Sequence, residues 1–181
     1  TPSDKYVTYL WEDLENGKKL TYSMDASIRT KNTVAQVTKK ISFPFNLDPS
    51  HLKYTKASQF IDVTPDIEQQ ALSIVEGETD LYAIAFKLAD WTKNNIKYDL
   101  STLTADAVQK SSWVLENKEG VCDEITNLFI SMLRSLGIPA QFVSGMVYSN
   151  IDYTWGPHGW AEVYFPGGGW VPFDVTFGQY G

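Results

Sequence analysis

Cysteine, histidine and positive charge are all scarce in this chain of 181 residues, and each scarcity excludes something. A single cysteine, Cys122, rules out an internal disulfide and leaves one free thiol. It does not fix a compartment, because a secreted enzyme with one working thiol has the same count. Only two histidines occur, His51 and His158, far apart in sequence. Neither has a partner at metal-ligand spacing, and no metal site is expected. Lysine and arginine total 15 against 22 acidic residues, for a net charge of −7. That balance argues against nucleic acid or an anionic membrane as partner. No apolar run approaches the ~20 residues of a membrane-spanning helix. No Asn-x-Ser/Thr site and no internal repeat is present. The chain opens on Thr1-Pro2 with no visible leader. A leader removed by processing would leave the same start, so extracellular, cell-surface and cytoplasmic settings all stay open.

What is present divides into two regions, and the expected boundary lies between residues 75 and 76. Residues 1–75 read as a β-rich accessory region. Lys5 to Trp11 is rich in Tyr, Val and Thr, and Leu20, Tyr22, Met24, Ala26 and Ile28 alternate strictly. A hairpin turn is expected at Thr30-Lys31-Asn32, leading into a strand over Val34–Phe45, with a further strand over Leu52–Val63. His51 reads as a surface residue. Thr64-Pro65-Asp66 marks a break. From Thr79 the period becomes helical, with Leu81, Ile84, Ala85, Leu88 and Trp91 on one face and Thr79 as N-cap. A second helix is expected over Ala105–Glu116, capped by Thr104. Strands follow over Gln141–Tyr148, His158–Phe165 and Gly169–Thr176. Helices first and antiparallel strands after is the order of an α+β fold.

Between these helices and strands stands Cys122. Ile125, Leu128, Phe129, Met132, Leu133 and Leu136 recur behind it at helical spacing, and Gly137 and Pro139 end the pattern. The thiol therefore sits in the first turn of an amphipathic helix. Unpaired N–H groups and the positive helix end favour a thiolate there, whereas Asp123 and Glu124 oppose it. A small buried side chain is the plain alternative reading of a lone cysteine.

A thiol nucleophile needs a base and a group that orients the base. His158 begins one expected strand, and Asp174 stands on the next. Together with Cys122 they offer a nucleophile, a base and an orienting carboxylate. An imidazolium beside the thiol would also offset Asp123 and Glu124, so a reactive Cys122 is expected. Asp174 serves only if it shares a sheet face with His158. A three-residue turn at 166–168 meets that condition by setting Trp160 opposite Asp174, whereas a shift of one residue turns the carboxylate away. Zinc bound by Cys, His and Asp is a rival without the paired ligand spacing that would support it.

Gly120-Val121-Cys122-Asp123, Leu133-Arg134-Ser135-Leu136-Gly137-Ile138-Pro139-Ala140, His158-Gly159-Trp160-Ala161-Glu162-Val163 and Gly169-Trp170-Val171-Pro172-Phe173-Asp174-Val175-Thr176 follow one another in this order. The series resembles the transglutaminase-like superfamily over residues 78–181, with Gly159 where alanine is common. The resemblance implies a papain-like core, in which a Cys-bearing helix packs on an antiparallel sheet carrying His and Asp. It implies Cys122 as nucleophile, His158 as base and Asp174 as its orienter, with no cofactor and a protein or peptide substrate. The implied reaction is acyl transfer on amide bonds through a thioester, by a peptidase, amidase or transglutaminase. A non-catalytic binding module that keeps the fold is the alternative. An acyltransferase of the arylamine acetyltransferase kind fits less well, because the Arg-Gly-Gly-x-Cys approach to its nucleophile is missing. Trp155 and Trp160 are the candidate substrate-binding walls of an aromatic cleft, with Tyr148 and Tyr153 nearby. The turn-rich stretch 150–157 is expected to be a mobile flap. Trp113 and Gln109 are candidates for the second oxyanion donor.

Overall fold

Helix α4, Cys122–Ser135, is the element against which most others pack, in this computed structural model of the chain. The structure describes residues 10–12, 15–21, 23, 25, 27, 37–102, 108–149 and 153–181. Chain contacts divide it into two units, residues 1–32 and residues 33–181. Ten consecutive residues of α4, Glu124 to Leu133, are buried. Such a helix is core on every side, with its apolar stripe reinforced by small and hydrogen-bonded polar residues. The end is set by sequence, since Gly137 and Ile138 return N–H bonds to Arg134 and Leu133 at 3.0 and 2.9 Å.

Three helices precede α4 on the same core. Helix α1, Pro65–Ile74, has Thr64 as N-cap, Pro65 in its first turn, and Ile67 and Ala71 buried. The expected break at Thr64-Pro65-Asp66 is thus a helix start. Helix α2, Leu81–Asn95, buries Leu81, Ile84, Ala85, Leu88, Ala89 and Thr92. Its N-cap is Asp80 rather than Thr79, because Asp80 Oδ1 accepts from the N–H groups of Tyr82 and Ala83 at 2.9 and 3.2 Å. Strand β1, Lys97–Tyr98, pairs in parallel with β2, Glu119–Gly120. Between them, α3 covers only Ser111–Asn117. It starts later than the expected helix because Asp62 takes the Ser112 N–H and hydroxyl at 3.0 and 2.6 Å, capping the helix from outside its own sequence. Residues 103–107, including the expected cap Thr104, lie outside the described residues.

On the other side of α4 lies one antiparallel sheet in the order β3-β4-β5-β6. Its strands are β3 Ala140–Ser149, β4 Thr154–Phe165, β5 Gly169–Asp174 and β6 Gln179–Tyr180. Alternation is clean in β4, where Ala161, Val163 and Phe165 are buried towards the helices. The turn is the three-residue one, with Gly168 N–H bonded to Phe165 O at 2.9 Å and Gly167 at φ +78°. Ala161 faces Phe173 and Val163 faces Val171, the register that brings Trp160 level with Asp174. The α+β class and the cysteine helix on an antiparallel sheet are therefore both present.

The amino-terminal expectations fare differently. No strand occurs among the described residues before Val63; the stretch 37–63 holds one isolated bridge, Ser42 to Asp80, and a 3₁₀ helix over Pro49–Thr55 where a strand was expected. Pro49 and the Asp48 side chain on the Ser50 N–H start that helix, so the local turn signals override the β-prone composition. Leu10, Trp11 and Leu20 lie outside any strand, while Tyr22, Met24, Ala26, Ile28 and the turn at 30–32 lie outside the described residues. The boundary expected at 75/76 falls inside the unit 33–181, whose core includes Ile61, Ile67 and Ala71. His51 is half-buried, its ring stacked on Tyr164 at 3.8 Å and 6.0 Å from Trp170, so it packs on the outer face of β4 and β5.

Candidate active site

Glu124 organises the start of α4. Its carboxylate is 1 % exposed and accepts three bonds, from Val121 N–H at 3.0 Å, Gln109 N–H at 2.9 Å and the Thr102 hydroxyl at 2.9 Å. One buried anion thus ties the N-cap of α4 to the chain at Thr102 and at Gln109. Sequence reasoning had counted it only as a charge opposing the thiolate; its position three residues after the cap was the available signal.

Cys122 is half-buried in the first turn. Its Sγ lies 3.4 Å from Asp123 Oδ1, the geometry of an S–H donated to a carboxylate. Burial pushes the thiol pKa up, and the Asp123 charge adds to this, while the backbone N–H of Gly159 pulls the other way. Burial and the adjacent carboxylate thus both oppose the thiolate in this arrangement. The phenol of Tyr98, on β1, also lies against Cys122. Burial first, and then the proximity of Cys122, raise its pKa. Tyr98 was not anticipated; parallel pairing of β1 with β2 brings it in, and the sequence carries no local signal for that pairing.

Strand β4 supplies the histidine. His158 is 7 % exposed, and its Nε2 is 2.7 Å from Asp174 Oδ2. The other carboxylate oxygen of Asp174 accepts from the N–H groups of Thr176 and Phe177 at 3.0 Å each. Trp160 and Phe177 lie against the imidazole, with ring centroids 6.2 and 5.0 Å away. Helix and strand meet at Gly159, whose carbonyl accepts from the Thr126 hydroxyl at 3.3 Å. A Cβ at Gly159 would stand 2.7 Å from Asp123 Oδ1 and would run into the Phe142 ring. Alanine is therefore not accommodated here without a shift of Phe142, and glycine is the residue that allows the close approach.

The structure thus joins His158 to Asp174 and sets Cys122 at the backbone of the next residue, Gly159. Among the described residues no hydrogen bond links the Cys122 thiol to the His158 ring; the thiol's partner is Asp123. Trp160 lines a cavity of about 480 Å³ with Pro172, Asp174 and Tyr180. Trp155 is 64 % exposed and, by strand alternation, on the face of β4 opposite His158, where it packs on Tyr148. Thr154–Pro157 pair with β3, so the expected flap is strand in that part, its backbone groups satisfied by the ladder; residues 150–152 lie outside the described residues. Trp113 packs on the core, and Gln109 offers its N–H to Glu124.

The sequence model of the "transglutaminase-like superfamily" matches residues 68–175. The chain belongs to the transglutaminase-like superfamily. Cys122, His158 and Asp174 all fall inside the matched stretch. The superfamily match is joined by an uncharacterized Bacillus subtilis protein, YebA, 25 % identical over 148 residues, covering 70 % of this chain and 20 % of YebA. An uncharacterized Mycobacterium leprae protein, ML0607, is 29 % identical over 94 residues, covering 49 % of this chain and 32 % of its own. This chain thus spans a third or less of the relatives it matches. Two solved structures share the fold. A candidate cysteine protease from Cytophaga hutchinsonii superposes with TM-score 0.62 at 23 % identity, covering 72 % of this chain and 43 % of that one. The periplasmic domain of TgpA from Pseudomonas aeruginosa superposes with TM-score 0.57 at 19 % identity, covering 72 % and 48 %. No helix among the described residues is long and apolar enough to cross a membrane.

Proposed function

We propose that this transglutaminase-like chain is a thiol-dependent acyl-transfer enzyme acting on amide bonds of protein or peptide substrates. Cys122 is the nucleophile, His158 the base and Asp174 the group that orients it. The observation that carries this reading is the 2.7 Å bond from the buried His158 ring to Asp174. It uses Nε2 and leaves Nδ1 as the nitrogen free to exchange a proton with the thiol. Proton transfer to Nδ1 frees the thiolate, which attacks the amide carbonyl carbon. Collapse of the tetrahedral intermediate breaks the C–N bond, and the imidazolium returns its proton to the leaving amine. Water or a second amine then attacks the thioester and releases the thiol. In this reading the Cys122 N–H, which bonds the Tyr98 phenol oxygen in the free chain, is one oxyanion donor, and the Tyr98 hydroxyl is the candidate second. Trp160 walls the cleft on the His158 side.

A non-catalytic binding module is the second reading, favoured by the raised thiol pKa and the Asp123 contact. One experiment separates the two. The wild-type chain and Cys122→Ser are incubated with a peptide library and analysed by mass spectrometry for cleavage, deamidation or amine incorporation. A covalent acyl-Cys122 adduct with turnover supports the enzyme. Peptide binding that is equal in both proteins, with no adduct and no product, would establish the binding module.

A further inference from the structure

A cavity of about 250 Å³ opens at the first turns of α4, lined by Asp123, the residue next to Cys122. Phe60, Ile61, Val108 and Phe142 form its walls, and no lysine or arginine lines it. Two polar side chains stand one helical turn apart on α4 at its floor, Asp123 and Asn127. Asn127 is 6 % exposed, yet its amide has no hydrogen-bond partner among the described residues. Its polar atoms are not sealed in the core, and the residue lines the cavity. An amide that is nearly buried and bonds nothing in the protein is available to whatever enters the cavity. Asp123 uses one oxygen on the Cys122 thiol and keeps the other.

We propose that this cavity is a specificity pocket for an alkylammonium group, the side chain of a lysine flanking the reacting amide. The apolar walls take the methylene stem, and Asp123 and the Asn127 carbonyl take the charged head. Asp123 lies next in sequence to the nucleophile, so a head bound there fixes the substrate backbone across Cys122. A cation paired with a carboxylate stays protonated and is not a nucleophile. The pocket therefore selects a neighbouring side chain and does not deliver an attacking amine. This deepens the proposed acyl-transfer function and rests on it for its meaning, but the binding itself can be measured without catalysis.

The test titrates the full wild-type chain with n-butylammonium chloride, 1-butanol and sodium butyrate at matched ionic strength, following the Asn127 side-chain amide by NMR. Saturable shifts are expected, with butylammonium bound about tenfold tighter than butanol, the scale of one hydrogen bond to a charged group, and no response to butyrate. Asp123→Asn should reduce butylammonium to the level of butanol, and Val108→Trp should abolish both responses. Equal binding of butylammonium and butanol, or an unchanged preference in Asp123→Asn, would overturn the proposal. In the functional arm, paired peptides carrying lysine or norleucine beside the reacting bond are compared. A kcat/KM ratio of about ten in wild type that collapses in Asp123→Asn supports the pocket, and the ratio cancels any effect of the variant on the thiol itself. Butylamine covalently incorporated into product would make this an acceptor-amine site and overturn the specificity role. Butylammonium binding without any acyl transfer would leave the pocket standing and remove the enzyme reading instead.

Discussion

Two stretches of the unit 33–181 solve the same problem by different means. From Gly120 to Asp174 the chain is α4 and its sheet, where ladder bonds and one apolar face specify each element. From Val37 to Val63 there is no ladder, only one bridge and a 3₁₀ helix. That stretch is held by separate side-chain contacts: Ile61 in the core, His51 and Tyr54 on Tyr164 and Trp170, Asp62 on Ser112, and Lys56 O on Arg134. In the first region a periodic pattern repeats the same information many times. In the second each contact occurs once, and no period announces it.

Single changes should therefore weigh differently in the two regions. The largest effect belongs to the site: Cys122→Ser should lower turnover by about four orders of magnitude or more, because a hydroxyl is a far weaker nucleophile without its own activation. Activity equal to wild type would remove Cys122 from the chemistry. Phe129→Ala, in the middle of α4 and fully buried, should cost about 3–5 kcal/mol in urea unfolding. Asp62→Ala strands the Ser112 N–H and hydroxyl and should cost about 2 kcal/mol. His51→Ala loses one ring stack and should cost about 1 kcal/mol. If His51→Ala matched Phe129→Ala, the contrast between the regions would fail.

The subtlest change concerns the thiol. Burial and then Asp123 raise its pKa, so in the folded chain the proton is held to higher pH than in the unfolded chain. Between those two pKa values the unfolded state has already lost the proton, and stability falls as pH rises through that window. Asp123→Asn removes one of the upward causes. Its thiolate fraction at neutral pH should rise, the iodoacetamide rate with it, and the alkaline loss of stability should shrink. An unchanged alkylation profile would mean that Asp123 does not act on the sulfur.

The α4 helix, its stop at Gly137, the strand alternation and the register that lines up His158 with Asp174 were all legible locally. Each depends on a repeat of 3.6 or 2 residues, or on a turn length, and those are properties of neighbours in sequence. The helix start Thr64-Pro65-Asp66 was legible too, as a cap with proline in the first turn, although it was read as a break. What the sequence by itself determined was the class of fold and the pairing of imidazole with carboxylate. Only the tertiary structure decided the character of the thiol, because that depends on burial and on how Asp123, Gly159 and Tyr98 from three elements converge on one sulfur. The same holds for Glu124 as the anchor of two loops and for the cavity over Asn127. Free energies of burial and charge fall off over a few ångströms in space, and distance along the chain carries no record of them.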